Sequence, residues 1–268
     1  MRIGAGLSTA ADARAAAAEA ALLAREPLIA ATPTLAVLVT SPHHALHARG
    51  VLEVVREFAQ PDVLVGCVAE AVVAGRREVE GEPAVVVWLA ALAQPAETVH
   101  MEFLRTGPGG DLWAASSTAP APNCICCFPT RTPSDAFAVR APQRKAPGTP
   151  VMGGLVSGAA EPGLTGLFCE VGATVQFHVR DAVTADEDLR ESLLRARVEG
   201  RPIGALLFTC NGRGTRMFDE PNHDAVIVSD LLGGVPVAGF FAAGELGPVG
   251  GKNFLHGSTA SMALFVDD

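Results

Sequence analysis

The stretch Leu206–Gly214 reads LLFTCNGRG. A continuous apolar run of this length is the pattern of a strand buried on both faces. It stops at a cysteine, and Asn-Gly then turns the chain. In open α/β sheets ligands collect beyond the carboxyl ends of strands, so Cys210, Asn211, Gly212, Arg213 and Gly214 form the first candidate binding segment. Two glycines let backbone N–H groups approach a ligand closely. Arg213 offers a planar fork for a carboxylate or phosphate. The same residues also read as a tight turn whose arginine pairs with a structural acid such as Glu245.

Outward from this stretch the order is a strand (203–210), a helix (221–233), an apolar segment VPVAGFFAAGEL (235–246), a turn GPVGGKNFLHG (247–257) and a closing strand STASMALFV (258–266). The same order occurs earlier. TLAVLVTS (34–41) is a strand and HALHARGVLEVVREFAQ (44–60) has helical spacing. DVLVGCVAEAVV (62–73) starts as a strand, GRREVEGEP (75–83) is a polar turn, and AVVVWLAAL (84–92) is a strand. Thr40 to Gly66 is 26 positions and Thr209 to Gly239 is 30. A two-copy repeat follows. The expected fold is α/β: two related halves, pseudo-duplicated, with mixed sheets packed against helices. The halves divide as 1–165 and 166–268, with 105–148 irregular.

Other segments read less regularly. Residues 9–25 form an alanine-rich helix, capped by Thr9 and ended by Pro27. Residues 105–133 are rich in Gly, Pro, Ser and Thr and read as a loop. Residues 149–163 are a strand running into a glycine-rich turn, and GATVQFHVRDA (172–182) alternates like a half-exposed strand. TADEDLRESLLRARVEG (184–200) is the clearest helix. Thr184 and Glu187 stand at capping-box spacing, Leu189, Leu193, Leu194 and Val198 form its apolar stripe, and Gly200 closes it.

Composition narrows the function. Of 268 residues, 49% are hydrophobic and 18% charged, which describes a chain with a core rather than a disordered one. The formal charge of −9 argues against binding nucleic acid or an anionic membrane surface. No apolar window is long enough for a membrane span. The opening residues carry no basic region followed by a sustained apolar run, so no secretory leader is expected. Six unevenly placed cysteines are unlike a disulfide framework, and a cytoplasmic location is expected.

Glu245 stands between glycines, with Lys252, Asn253 and His256 after it. A carboxylate near Arg213 suits a zwitterion, with Arg213 on the ligand's carboxylate and Glu245 on its ammonium. Cys210 is also a candidate nucleophile, though free cysteine is most often a small buried hydrophobe, and only His223 or His256 offers a base. Metal signals are poor. Cys124, Cys126 and Cys127 include one C-x-x-C spacing without a second pair. His43 and His47 are four apart but lack the H-E-x-x-H pattern. A haem would draw on one of these or His178, and histidine alone does not specify it. No metal or other cofactor is expected. Nucleotide-binding, hydrolase and kinase motifs are missing.

The runs GALLFTCNGRGTRMFDEPNHDA (204–225) and GVPVAGFFAAGELGPVGGKNFLHGSTASMALF (234–265) closely resemble the C-terminal half of FIST domains, named for F-box and intracellular signal transduction. VLVGCVAEAVVAGRREVEGEP (63–83) and TPVMGGLVSGA (149–159) resemble the N-terminal half. The resemblance implies an intracellular sensory module that binds a small ligand such as an amino acid. In bacteria it stands alone or beside signalling domains, and some members are described as haem-binding. The chain departs from the family in three places. Roughly a hundred residues are missing between GLVSGAAEPG and GATVQFHVRDA, the glycine-rich turn after the first Gly-Cys is Val68-Ala69-Glu70-Ala71, and 105–133 lacks the expected strands. The functional expectation is a sensory domain that binds a small polar, amino-acid-like ligand in a cleft between the halves, through Cys210, Asn211, Gly212, Arg213, Gly214, Glu245 and Asn253, and signals to a separate protein. The alternatives are an adaptor that binds another protein without a small ligand, and a thiol enzyme using Cys210.

Overall fold

The computed structural model describes residues 1–29, 31–96, 101–105, 111–115, 125–127, 150–156 and 181–267; at 101–105, 111–115 and 125–127 it describes the backbone alone. The chain begins with β1 (Arg2–Ser8), α1 (Ala13–Arg25), β2 (Leu35–Thr40), a 3-10 turn (Pro42–His47), α2 (Ala48–Ala59) and β3 (Val63–Val68). Then come β4 (Ala71–Ala74), β5 (Arg77–Glu80) and β6 (Val85–Ala91). Four short strands follow: β7 (Met101–Arg105), β8 (Asp111–Ala115), β9 (Ile125–Cys127) and β10 (Val151–Gly154). The remainder is α3 (Ala182–Glu199), β11 (Arg201–Cys210), α4 (His223–Leu232), β12 (Val237–Ala242), β13 (Glu245–Val249), β14 (Lys252–His256) and β15 (Ala260–Asp267).

The duplication is visible in the strand registers. One sheet has the order β1-β6-β2-β3 and a second β15-β11-β12-β4-β5. In the first, β2 runs parallel to β3 and antiparallel to β6, and Leu38 lies between Gly66 and Val87. In the second, β11 runs parallel to β12 and antiparallel to β15, and Leu207 lies between Gly239 and Met262. At the strand ends, the N–H of Ser41 donates to the Ala84 carbonyl and that of Cys210 to the Thr259 carbonyl, both at 2.9 Å. Gly66 and Gly239 are therefore the same position in two copies, and the reason for glycine is common to both. A Cβ there would overlap the carbonyl oxygen of Leu38 or Leu207.

Alternation along these strands builds four layers. Ala36 and Leu38 pack on α1 and α2, whereas Val37 and Val39 face inward. Ala205 and Leu207 pack on α3 and α4, whereas Leu206 and Phe208 face inward. The inner faces of both sheets meet in one core with Trp88, Phe240 and Val86. The halves also interlock. The β4–β5 hairpin, first-half in sequence, pairs with β12 of the second half, with Ala74 opposite Ala238 and Val72 opposite Phe240. The β13–β14 hairpin instead joins β10 and β9 in a third sheet.

Several local expectations are corrected. Arg2–Ser8 is a strand, and Asp12 rather than Thr9 caps α1, accepting from the Ala15 N–H at 2.8 Å. Asp181 rather than Thr184 caps α3, because its carboxylate reaches the Thr184 N–H at 3.0 Å. Residues 77–80 and 252–256 lie in strands inside the expected turns, because each pairs across a tight hairpin. Strands also occur within 105–133. The α3 stripe is narrower than expected. Leu189 and Leu193 are buried, but Leu194 is 51% and Val198 88% exposed. The strand expected at 172–182 lies outside the described residues except for its last two positions. Among the described residues no helix is long and apolar enough to cross a membrane.

Candidate functional site

The Arg213 side chain turns inward. Its Nε donates to Asp224 Oδ2 at 2.6 Å and its Nη2 to Asp224 Oδ1 at 2.7 Å, and both side chains are 1% exposed. Thr209 donates its hydroxyl to Asp224 Oδ2 at 2.5 Å, and Arg213 Nη2 also reaches the Ala185 carbonyl at 3.4 Å. The guanidinium lies 5.1 Å from the Phe218 ring centroid, and that ring stacks on His223 at 3.4 Å. His223 bridges Asp224 and Asp186, each at 3.0 Å. Burial opposes charge on Asp224, but hydrogen bonds from Arg213 and His223 outweigh it and hold its carboxyl at about 2. The acid that engages Arg213 is thus Asp224, in the first turn of α4, and not Glu245.

The β4–β5 hairpin fastens this loop from the other half. Glu80 accepts from the Thr215 N–H and hydroxyl, both at 3.0 Å. Glu78 Oε1 accepts the Ala225 N–H at 2.9 Å, satisfying a donor of the first turn of α4. Arg216 donates to Glu70 Oε1 at 2.6 Å and to the Asn211 carbonyl at 2.8 Å. Gly214, at φ +57°, is closed in by Glu80 and Phe241 and leaves no room for a Cβ. Burial, with Asp224 and Glu80 nearby, pushes the Glu78 carboxyl up to about 7.

Cys210 and Glu245 form a different constellation. Cys210 ends the parallel ladder opposite Ala242 and is half-buried. By alternation its side chain lies across the sheet from Thr209, away from the Arg213–Asp224 pair. Glu245 opens β13 between Gly154 and His256 and is 0% exposed. Its Oε2 accepts from the Thr259 N–H at 3.1 Å and hydroxyl at 2.9 Å. Among the described residues its Oε1 has no hydrogen-bond partner. Burial pushes this carboxyl up to about 7 against the pull of Thr259, Cys210 and Arg213. Burial, then the neighbouring Glu245, raises the Cys210 thiol, while the Gly212 N–H donates to Sγ at 3.4 Å. A raised thiol opposes thiolate formation and weakens the reading of Cys210 as a nucleophile.

The other expected residues take separate places. Asn211 donates its N–H to the Ala242 carbonyl at 2.8 Å, and Gly212 is exposed. Asn253 accepts the Val151 N–H at 2.8 Å. It lies opposite Pro248, three register steps along the hairpin from Glu245. His223 belongs to the Asp224 network, and His256 faces the Gly247 carbonyl at 3.1 Å, so neither stands as a base for Cys210. His43 and His47 are exposed in a 3-10 turn, while His44 between them is buried. The side chains of Cys124, Cys126, Cys127 and His178 lie outside the described residues. A depression of about 390 Å³, lined by Arg197, Gly200, Arg201, Pro202, Leu232, Gly233 and Val235, lies at the start of β11, on the order of 30 Å from Cys210.

A family model described as the FIST N domain matches residues 34–188, and one described as the FIST C domain matches 166–248. The chain belongs to the FIST family. FIST domains are associated with sensory roles in signal transduction. An uncharacterized protein of Mycobacterium tuberculosis is 38% identical to this FIST protein over 385 aligned positions that span all of both chains. An uncharacterized protein of Mycobacterium bovis is 37% identical over 386, again across all of both chains. With 268 residues here, well over a hundred of those aligned positions face a gap in this chain. The two family matches overlap at 166–188, next to the place where the sequence departs from the longer family pattern.

Proposed function

We propose that this FIST protein is a sensory domain that binds a small polar, amino-acid-like ligand beside Cys210 and Glu245, at the carboxyl ends of β11 and β12, and passes the signal to a separate protein. One observation carries the reading. Glu245 Oε1 is a buried acceptor without a donor among the described residues, and leaving such a group unpaired costs about 1–3 kcal/mol. A ligand N–H or O–H that reaches it removes that cost. The position agrees with the rule that α/β sheets bind ligands past the carboxyl ends of their strands. The interlocked hairpin supports a route for the signal, since Glu80 and Glu70 tie the loop after Cys210 to the other half.

The ammonium half of the expected zwitterion contact retains its acceptor in Glu245. The carboxylate half needs Arg213, whose fork is held by Asp224. A thermal-shift screen of amino acids, amines, nucleotides and sugars tests the reading. A ligand of the folded state raises the melting temperature by mass action. A hit that disappears in Glu245→Gln is expected. A broad panel without a hit overturns the proposal.

A further inference from the structure

We infer that the Cys210–Glu245 site takes a small amine, recognised through its N–H donors and needing no acidic group; this rests on the small-ligand reading above. The oxygens gathered there are acceptors, and the Cys210 S–H beside them is a weak donor toward Glu245. Glu245 Oε1 has no partner among the described residues. Thr259 spends its hydroxyl proton on Glu245 Oε2 and keeps lone pairs. Cys210 Sγ already accepts from Gly212. An ammonium carries several donors and no acceptor, which matches such a set.

The cations that would hold an acid are committed elsewhere. Arg213 is enclosed with Asp224. Arg216 serves Glu70 and the Asn211 carbonyl. His223 bridges two aspartates, and His256 faces a carbonyl. An acidic solute beside Glu245 would meet a carboxyl without an available counter-charge among these residues, whereas an ammonium supplies the missing donor and a compensating charge. The site also limits size. A Cβ on Gly244 would already press on Leu155 and Leu255 at 3.1 Å, so the floor beside Glu245 is closed. Cys210 is half-buried and Gly212 beside it is exposed.

Butylamine, butanol and butyrate separate the possibilities, because they share an alkyl chain and differ in headgroup. Calorimetric titration of the full chain should show binding of butylamine alone, at least tenfold weaker in Glu245→Gln and within threefold of wild type in Arg197→Ala, at the distant depression. Amide shifts provide a second readout should the Gln variant fail to fold: butylamine should move the Thr259 and Gly212 signals and leave Arg201 unmoved. Butyrate binding, or butylamine binding that is unchanged in Glu245→Gln or moves Arg201 instead, overturns the amine assignment while leaving a small-ligand site. No response to these probes or to the wider panel overturns the underlying reading as well.

Discussion

Arg213 and Asp224 hold each other through two parallel hydrogen bonds of 2.6 and 2.7 Å inside the second half, at 1% exposure each. Removing one partner of a buried pair strands the other charge, at a cost of about 3–5 kcal/mol. Asp224→Asn and Arg213→Leu should each lose that much in urea unfolding. The double variant Arg213→Leu/Asp224→Asn should lose clearly less than their sum. Additive losses would show that the two do not act as a pair.

Burial raises two carboxyls, Glu78 and Glu245, from 4.5 to about 7. Glu78 lies near the charges of Asp224 and Glu80, while Glu245 is bonded by Thr259 and Cys210 and feels a weaker pull from the charge of Arg213. A carboxyl whose folded pKa exceeds its unfolded value contributes fully below about pH 4.5, and the contribution is lost as the pH climbs through 7. The urea midpoint should therefore be higher at pH 6 than at pH 8. Glu78→Gln and Glu245→Gln should each flatten that slope. Asp224, held at about 2, shifts stability the opposite way only in strong acid. A midpoint that rises from pH 6 to pH 8 would contradict the assignment.

Gly66 and Gly239 sit at equivalent points of two parallel ladders, each against a carbonyl oxygen. Alanine at either should force the strands apart and cost roughly 3 kcal/mol, the upper end for overpacking. Equal losses at the two positions are expected. A loss at one alone would argue against their equivalence.

The Cys210 thiol is raised by burial and by Glu245. Its alkylation by iodoacetamide at pH 7.5, followed by mass spectrometry of the Cys210 peptide, should be slower than that of free cysteine. Glu245→Gln should speed it several-fold, because a neighbouring negative charge is removed. Cys67, pushed up to about 12 by burial, should not react.

Much of this frame was legible in the chain. Apolar runs ending in Thr40 and Thr209 marked the central strands, and the recurrence of strand, helix, strand and hairpin marked the duplication. What escaped depended on partners distant in sequence. Arg2–Ser8 is short and holds two glycines, and it is a strand because β6 pairs with it along its length. Glu78 and Glu80 looked like a polar turn, yet they grip the other half 147 and 135 positions away, respectively. Asp224 gave no signal as the partner of Arg213, since only the fold of the loop brings the two together. Leu194 and Val198 fit a helical stripe by spacing, but α3 buries Ala185, Leu189 and Leu193 and leaves Leu194 and Val198 exposed. Glu245 stood out because a carboxylate among glycines is unusual, and the fold buries it completely, whereas Asn253, chosen on the same grounds, holds the backbone of β10.

The most direct test is a structure of crystals soaked in butylamine. Density for the amine nitrogen within hydrogen-bonding distance of Glu245 Oε1 is predicted, with Arg213 still bound to Asp224. Density in the depression between Arg197 and Arg201, with the surroundings of Glu245 unchanged, would contradict the account.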